Sequence, residues 1–365
     1  MTKHTRHTFL TPTLMLSLSF AGSAMAQICD PAQLRPYQPK VKIQGAIRVY
    51  GSELKGQVVE WEKGFVKFHP DAVFANNFTS SSEGAIAGLY ALGVDIAPAG
   101  DDAKITDQMP FYNIKHYLPT ELSVATGGYE KRGTLWAIQI VVNKENPLTK
   151  LSMRQLDQIF GSERTGGWEG ILYTGKYARP ASANIRTWDQ LGLKDEWANK
   201  EIQTYGYIAP GFTIAFERKI FHWSDKWNPN FKEYVEEKEI VPGPAGETVA
   251  SERMFEALSM DKYGIAWGPL LHSKNYPNLK QIDLSVEDGG PAIPMTEANV
   301  QNRTYPFIRD AYMYLDQQPG KPMDDRAAEF MRYILSREGQ TDVKNFGVYY
   351  PLPQSAIDEQ LAKIR

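Results

Sequence analysis

Cysteine is almost missing from this sequence. Its 365 residues include one, Cys29, so no disulfide can form within the chain. The preceding residue, Ile28, is larger than the small residue that a lipid-attachment site requires, and we therefore do not expect a lipoprotein. We interpret Cys29 as an incidental thiol.

Long hydrophobic runs are also missing, since no stretch approaches the ~18 consecutive apolar residues of a membrane-spanning helix. The nearest is residues 9–20, which are too few to cross a membrane comfortably. Lys3 and Arg6 precede this run, and Ala24-Met25-Ala26 follows it, which is the typical order of a secretory signal peptide. We predict that residues 1–26 are a signal peptide cleaved after Ala26, and that the mature protein is soluble and periplasmic.

Neither sign of charge is in large excess. The formal net charge is -3, with 23% charged and 42% hydrophobic residues, a composition typical of soluble globular proteins. This balance gives no reason to expect binding to nucleic acid or to an anionic membrane surface. A chain of this length exceeds one ordinary hydrophobic core, so two lobes are expected.

Catalytic and metal-binding patterns are absent too. The sequence contains neither G-x-S-x-G nor H-E-x-x-H, and the histidines after residue 26 lack metal-ligand spacing: His69, His116, His222 and His272. We therefore expect no enzyme activity, no metal and no cofactor. A glycosidase needs only two carboxylates, such as Glu53 and Asp101, and stays open as an alternative that no fold-level pattern supports.

The sequence does contain a repeated order of strand, polar loop and helix. Residues 43–50 and 72–78 are rich in alternating and β-branched residues and predict strands, while residues 58–69 and 324–336 show the apolar spacing of helices. This order predicts an α/β protein in which the polar loops gather at the carboxyl ends of the strands, where ligands bind in open sheets.

Residues 204–220 form one such corner. A polar strand ends at Pro210-Gly211-Phe212, and we predict a helix that starts near Thr213. A helix start offers free backbone N–H groups and the positive end of a dipole, so it can hold an anion or another polar ligand. An ordinary structural corner has the same pattern, and the two interpretations stay open at this point.

Several segments together resemble the periplasmic phosphate-binding family of ABC-importer substrate-binding proteins. The most specific are Arg303-Thr304-Tyr305-Pro306, residues 329–340 and residues 347–352; residues 185–206 add to them, and the similarity runs from about residue 43 to 353. The resemblance implies an α/β fold of the type II periplasmic-binding-protein class. Each of its two lobes would be a mixed sheet flanked by helices, with a ligand cleft between them.

The resemblance also implies a lobe division and a set of partners. We expect the first lobe to comprise residues 41–132 and 268–365 and the second to comprise residues 133–267, with residues 136–143 and 264–270 as the crossings. The implied partners are a small-molecule ligand, phosphate or a related solute, and an ABC permease at the inner membrane. We expect a monomer.

In this family phosphate is held by four loops, and the matching positions here are Ser52, Glu53, Ser81, Ser82, Glu83, Asp101, Gly211, Phe212 and Thr213. The Asp101 position is where many members place an Asp that accepts the phosphate proton. The fourth loop departs from the family, because Pro210-Gly211-Phe212 replaces Ser-Gly-Thr and no Arg lies between residues 204 and 216. Arginines elsewhere are candidates to supply the missing charge: Arg132, Arg179 and Arg186.

This departure leaves a second functional hypothesis open. A charged hydrogen bond contributes roughly 1.5–3 kcal/mol, so losing hydroxyl and guanidinium donors would weaken anion binding. The acidic loop residues Glu53, Glu83, Asp101 and Asp102 either line the cleft mouth, where they would repel phosphate, or point into solvent. The alternative is a family member that has lost phosphate binding and recognises a neutral or cationic small molecule or a protein partner.

Overall fold

The computed structural model describes residues 29–51, 54–79, 82, 84–130, 135–209, 211–237, 239–243 and 246–364. The predicted signal peptide lies outside these ranges. Across the described ranges, no helix combines the length and the apolar character needed to cross a membrane.

Strands and helices alternate along most of this chain. The strands are β1 (Gly45–Gly51), β2 (Ala72–Phe78), β3 (Ala97–Ala99), β4 (Thr120–Thr126), β5 (Gln139–Asn143), β6 (Lys150–Ser152), β7 (Gly167–Glu169), β8 (Leu172–Thr174), β9 (Gln203–Ala209), β10 (Lys232–Val235), β11 (Ile240–Gly243), β12 (Gly246–Val249), β13 (Gly264–Gly268), β14 (Leu279–Ser285) and β15 (Asp310–Leu315). The helices are α1 (Lys55–Phe65), α2 (Ala85–Ala87), α3 (Ile105–Lys115), α4 (Met153–Phe160), α5 (Gly211–Phe216), α6 (Arg253–Ser259), α7 (Leu270–Ser273), α8 (Glu297–Gln301), α9 (Asp325–Ile334), α10 (Arg337–Phe346) and α11 (Gln354–Leu361). Single π-helical turns continue α2 and α5 over Gly88–Leu92 and Glu217–Phe221.

Local sequence signals account for the helix ends. Ser152 caps α4, because its hydroxyl accepts a hydrogen bond from the backbone N–H of Gln155 at 3.0 Å while the Gln155 side chain accepts from the Ser152 N–H. Asp324 caps α9 by accepting a hydrogen bond from the Arg326 N–H. The predicted helix over residues 324–336 is confirmed as α9, whose buried face includes Phe330, Met331 and Ile334.

One larger, six-stranded mixed sheet and several smaller sheets organise the described chain. Among the smaller ones, β1 pairs with β2 in parallel and β15 runs antiparallel between β3 and β4, and a single bridge from Val49 of β1 to Ile96 links these two sheets. The larger has the strand order β10-β9-β13-β5-β14-β6 and contains both parallel and antiparallel pairs. Residues 139–142 are all buried in β5, and the apolar run Ile140-Val141-Val142 is typical of a strand buried on both faces.

The hydrophobic clusters divide the chain at two points. One cluster takes all its buried members from Trp136 to Ile308, and the other clusters take theirs from residues up to Leu135 and from Ala311 onward. We call residues 29–135 with 309–364 the first lobe and residues 136–308 the second lobe. By this division the chain leaves the first lobe between Leu135 and Trp136.

The return crossing differs from the prediction. Gly264–Gly268 forms β13, which is paired on both edges inside the larger sheet, so it belongs to the second lobe. The chain returns at Phe307–Arg309 instead, because Ile138 N–H donates to Phe307 O at 3.0 Å and Gly127 N–H donates to Arg309 O at 2.8 Å. These two hydrogen bonds tie the return segment to both lobes, and this segment lies later in the chain than the predicted boundary at residue 268.

Candidate functional site

The predicted ligand loops converge where the two lobes meet, and part of them can be described. Ser82 and Asp101 line one small cavity together with Ile214 of the second lobe. The Ser82 hydroxyl accepts a hydrogen bond from the Gly100 N–H at 2.8 Å, which ties the second loop to the third. The other predicted positions of the first two loops lie outside the described residues: Ser52, Glu53, Ser81 and Glu83.

The fourth loop is the corner between β9 and α5. The helix begins at Gly211, two positions before the predicted start. Thr213 is buried, and its hydroxyl donates to the Tyr207 carbonyl at 2.7 Å. Phe212 is fully buried and stacks on Trp136, with ring centroids 5.8 Å apart and an interplanar angle of 12°. The side chains of Phe212 and Thr213 are therefore packed inside the protein and hold the backbone of this loop in place.

An arginine does reach this corner, and it comes from the return crossing. Arg309 donates to Asp101, with Nη2 and Oδ1 2.6 Å apart, and the exposed fractions of the two side chains are 6% and 12%. Its guanidinium also lies over the Phe212 ring, 5.0 Å from the centroid. A buried guanidinium paired with a carboxylate and stacked on an aromatic face is a well-oriented hydrogen-bond donor.

Gly211 touches this ion pair directly. A Cβ added at Gly211 would lie 2.7 Å from Asp101 Oδ1 and 3.1 Å from Arg309 Nη2. The first distance is shorter than real Cβ contacts show and the second is tight, so a side chain at this position would push Asp101 away and crowd Arg309. Glycine here brings the second lobe within contact of a charged pair contributed by the first lobe and the crossing.

A second group of charges also spans the lobes, and we call Asp102, Glu121, Arg218, Tyr312 and Tyr314 the Arg218 cluster. Arg218 belongs to the second lobe, whereas the other four belong to the first. Arg218 donates to both carboxylates, with distances of 3.0 and 2.8 Å to the two Glu121 oxygens. Tyr312 donates to Asp102 at 2.6 Å and Tyr314 to Glu121 at 3.0 Å.

The protonation states of this cluster follow from its contacts. Burial alone would lower the pKa of Arg218, but the carboxylates of Asp102 and Glu121 outweigh that effect and hold its pKa above the ordinary value. Burial, followed by the charge of Asp102, raises the pKa of Tyr312 well above its ordinary value. The guanidinium thus stays charged and the phenol stays neutral, so the cluster carries one positive and two negative charges.

The space between the loops is small in this conformation. The cavity lined by Ser82, Asp101, Asp102 and Tyr314 has a volume of about 20 Å³, enough for about one water molecule. A larger ligand must therefore separate the lobes to enter. Within the ranges that the structure covers, no cluster of three or more His, Cys, Asp or Glu side chains is arranged to hold a metal ion.

The arginines suggested from the sequence lie elsewhere. Arg179 pairs with Asp157 at 3.2 Å, and Arg186 donates to backbone carbonyls including Gly161 O at 2.8 Å; both lie within the second lobe. Arg132 lies outside the described residues. Sequence reasoning missed Arg309, although it directly precedes β15 in the segment that carries the family resemblance.

Comparison with known proteins places the chain in a family. A family model described as a PBP superfamily domain matches residues 134–338, more than half of the chain. The chain therefore belongs to the PBP superfamily. It is 26% identical over 358 residues to the phosphate-binding protein PstS of Pseudomonas aeruginosa, covering 96% of this chain and 98% of the relative. It is also 26% identical over 234 residues to protein SphX of Synechococcus elongatus, covering 63% of this chain and 57% of that protein.

A solved structure shows the same fold. PstS from Borrelia burgdorferi aligns with a TM-score of 0.52 and 14% sequence identity, covering 85% of this chain and 100% of that one. The predicted fold class, two α/β lobes with a cleft between them, is confirmed.

Proposed function

We propose that this chain is the exported solute-binding protein of a phosphate-type ABC importer. It binds phosphate or a closely related small oxyanion between its lobes and delivers it to a permease at the inner membrane. The full-length similarity to a phosphate-binding relative and the shared two-lobed fold support this proposal. In it, the chain acts after export, as a monomer and without catalysis.

The observation that carries the proposal is the buried pair of Asp101 and Arg309 against the backbone of Gly211. A protonated phosphate offers both a hydroxyl donor and oxygen acceptors. Asp101 can accept from the hydroxyl, while the guanidinium of Arg309 can donate to the other oxygens. The two side chains thus form a site for an anion that carries a proton, and Arg309 supplies the charge that the fourth loop lacks.

Ion pairing lowers the repulsion that an anion would meet from the carboxylates of the cleft. Of the acidic groups described at the cleft, Asp101 is paired with Arg309, and Asp102 and Glu121 are paired with Arg218. Paired carboxylates repel a phosphate much less than free ones. The alternative ligand classes, a neutral or cationic solute, serve as outcomes of the test.

Titration of the purified mature protein with phosphate tests the proposal. Trp136 stacks on Phe212 beside the pair, so its fluorescence should report ligand entry, and calorimetry should give the stoichiometry. We expect saturable binding of phosphate and much weaker binding of sulfate, because sulfate carries no proton for Asp101 to accept at neutral pH. A response to neutral or cationic solutes, with none to phosphate, would overturn the proposal.

Adding one methyl group at the site gives a sharper test. In Gly211→Ala the new Cβ must displace Asp101 or Arg309, so phosphate affinity should fall by about tenfold or more, the loss of one charged hydrogen bond. Gly175→Ala is the matched control, because its Cβ would meet only the Thr165 carbonyl, at 3.9 Å. Equal phosphate affinity in the two variants would place the ligand elsewhere.

A further inference from the structure

Lys219 is a charged residue of the second lobe that the candidate anion site does not yet explain. It lies on the π-helical turn Glu217–Phe221 that continues α5, and it is half-buried. Its ammonium donates a hydrogen bond to the carbonyl of Ile308. Ile308 directly precedes Arg309, whose guanidinium pairs with Asp101. Lys219 therefore binds the main chain one residue away from the cation of the candidate site.

The two peptide groups that flank Arg309 are held by different lobes. The carbonyl of Ile308 accepts from Lys219 of the second lobe, and the carbonyl of Arg309 accepts from the Gly127 N–H of the first lobe at 2.8 Å. The φ and ψ angles of Arg309 are the soft main-chain angles between these two carbonyls. A rotation of one lobe against the other at this crossing, with both hydrogen bonds kept, therefore turns the main chain at Arg309 and changes the direction of its side chain.

The helix that carries Lys219 also locates the side chain of Arg309. The guanidinium lies over the Phe212 ring, 5.0 Å from its centroid, and a Cβ at Gly211 would lie 3.1 Å from Nη2. Gly211 and Phe212 begin α5, and Lys219 lies on the π-helical turn that continues it. One helical segment thus contacts the side chain of Arg309 at its start and the peptide before Arg309 at its end.

The hydrogen bond of Lys219 is made in a poorly solvated place. Burial lowers the pKa of Lys219, and the charges of Asp310 and Asp102 oppose that effect. The charges of Arg303 and Arg218 add to the lowering. A hydrogen bond from a charged donor is stronger in such surroundings than in water. Removing the ammonium takes this strong donor away from the main chain of the crossing.

We propose that Lys219 is a positioning residue for Arg309. By holding the peptide before Arg309 to the second lobe, it directs the guanidinium toward Asp101 and Gly211, where the anion binds. Lys219 acts through Arg309 and need not touch the anion. Its neighbour Arg218 bonds instead to carboxylates of the first lobe, so the two cations of this turn have different tasks. The inference rests on the proposed function, because the anion is the ligand of Arg309.

Calorimetric titration of the mature protein with inorganic phosphate tests this assignment. Lys219→Met removes the donor, and we expect phosphate affinity to fall about tenfold because the guanidinium loses its fixed direction. Lys219→Arg keeps a cationic donor and should stay within about threefold of the wild type. Lys226→Met is the control, because it removes the same charge from the same lobe at a side chain that is 57% exposed. Its phosphate affinity should stay within about twofold.

A second measurement asks whether Lys219 acts through Arg309. Arg309→Lys keeps a cation but replaces the planar fork with an ammonium on a flexible stem, which depends less on the direction of the backbone. Adding Lys219→Met to Arg309→Lys should therefore lower phosphate affinity by less than about twofold, although the same change costs about tenfold in the wild type. If Lys219→Met does not fold, Lys219→Gln, which is shorter and uncharged, takes its place in both backgrounds.

The outcomes separate this inference from the proposed function. Wild-type phosphate affinity in Lys219→Met would overturn the inference and leave the proposed function intact. An equal loss in Lys226→Met, in Lys219→Arg or in the Arg309→Lys background would do the same, because the effect would then be one of net charge, of packing or of general stability. No phosphate binding by the wild type would overturn the proposed function itself and the inference with it.

Discussion

Removing Arg309 should destabilise the protein and abolish phosphate binding, and a double variant can separate the two effects. Arg309→Gln removes the guanidinium that faces the buried Asp101 carboxylate, since the Arg309 and Asp101 side chains are 6% and 12% exposed. Asp101→Asn removes the carboxylate that faces the buried guanidinium of Arg309. In the double variant, two neutral amides replace the two charges and can bond to each other, so no buried charge is left over.

The burial of the pair sets the size of the expected loss of stability. Breaking a buried ion pair by removing one partner costs about 3–5 kcal/mol. We expect the lower end, about 3 kcal/mol, because the pair lies between lobes that can separate and hydrate the remaining charge. For a chain of this length, 1 kcal/mol corresponds to about 1–2 °C in melting temperature. Each single variant should therefore melt about 3–6 °C lower, and the double variant should recover most of that loss.

Calorimetry of the phosphate-free proteins measures the melting temperatures, and titration measures binding. All three variants should lose the phosphate response, although the double variant is nearly as stable as the wild type. Arg35→Gln is the control, because Arg35 and Asp358 form a surface pair with side chains 72% and 42% exposed and such pairs contribute about 0–1 kcal/mol. The reasoning fails if Arg309→Gln has the same melting temperature as the wild type. It also fails if the melting temperature of the double variant falls by the sum of the losses in the two single variants.

The remaining predictions concern titrating groups. Burial raises the pKa of Cys29 to about 11, so alkylation by iodoacetamide should be slow at pH 8 and accelerate toward pH 11; rapid labelling at pH 8 would contradict this. The N–H of Ile43 donates to Nδ1 of His69 at 3.1 Å, and burial lowers the pKa of His69. The stability from neutral His69 is thus present above about pH 6.5 and lost as pH falls below it. His69→Gln should reduce the drop in melting temperature between pH 7.5 and 5.5, and an unchanged drop would contradict this assignment.

Much of the fold could be predicted because local patterns carry it. The strand predicted over residues 72–78 is β2, and the helix predicted from the amphipathic spacing of residues 324–336 is α9. The return crossing could not be predicted in the same way. Gly264–Gly268 and the crossing at Phe307–Arg309 are both short, buried segments, and only the pairing of β13 with strands on either side tells them apart.

The site was harder to predict, since its decisive contact joins distant parts of the sequence. Asp101 and Arg309 are 208 positions apart, and no local spacing indicates that the return crossing delivers a guanidinium to the fourth loop. The loop itself suggested a lost arginine. Phe212 replaces a hydrogen-bonding residue in sequence, but in three dimensions it provides the aromatic face on which Arg309 rests.

The Arg218 cluster has a consequence for how the lobes move. Its cation lies on one lobe and its two carboxylates lie on the other. When the lobes are closed the three charges are paired, and when they are wide apart water solvates them. At intermediate angles they would be neither paired nor fully hydrated, which is the most costly arrangement for an ion. The lobes should therefore occupy two discrete angles, with few molecules between them.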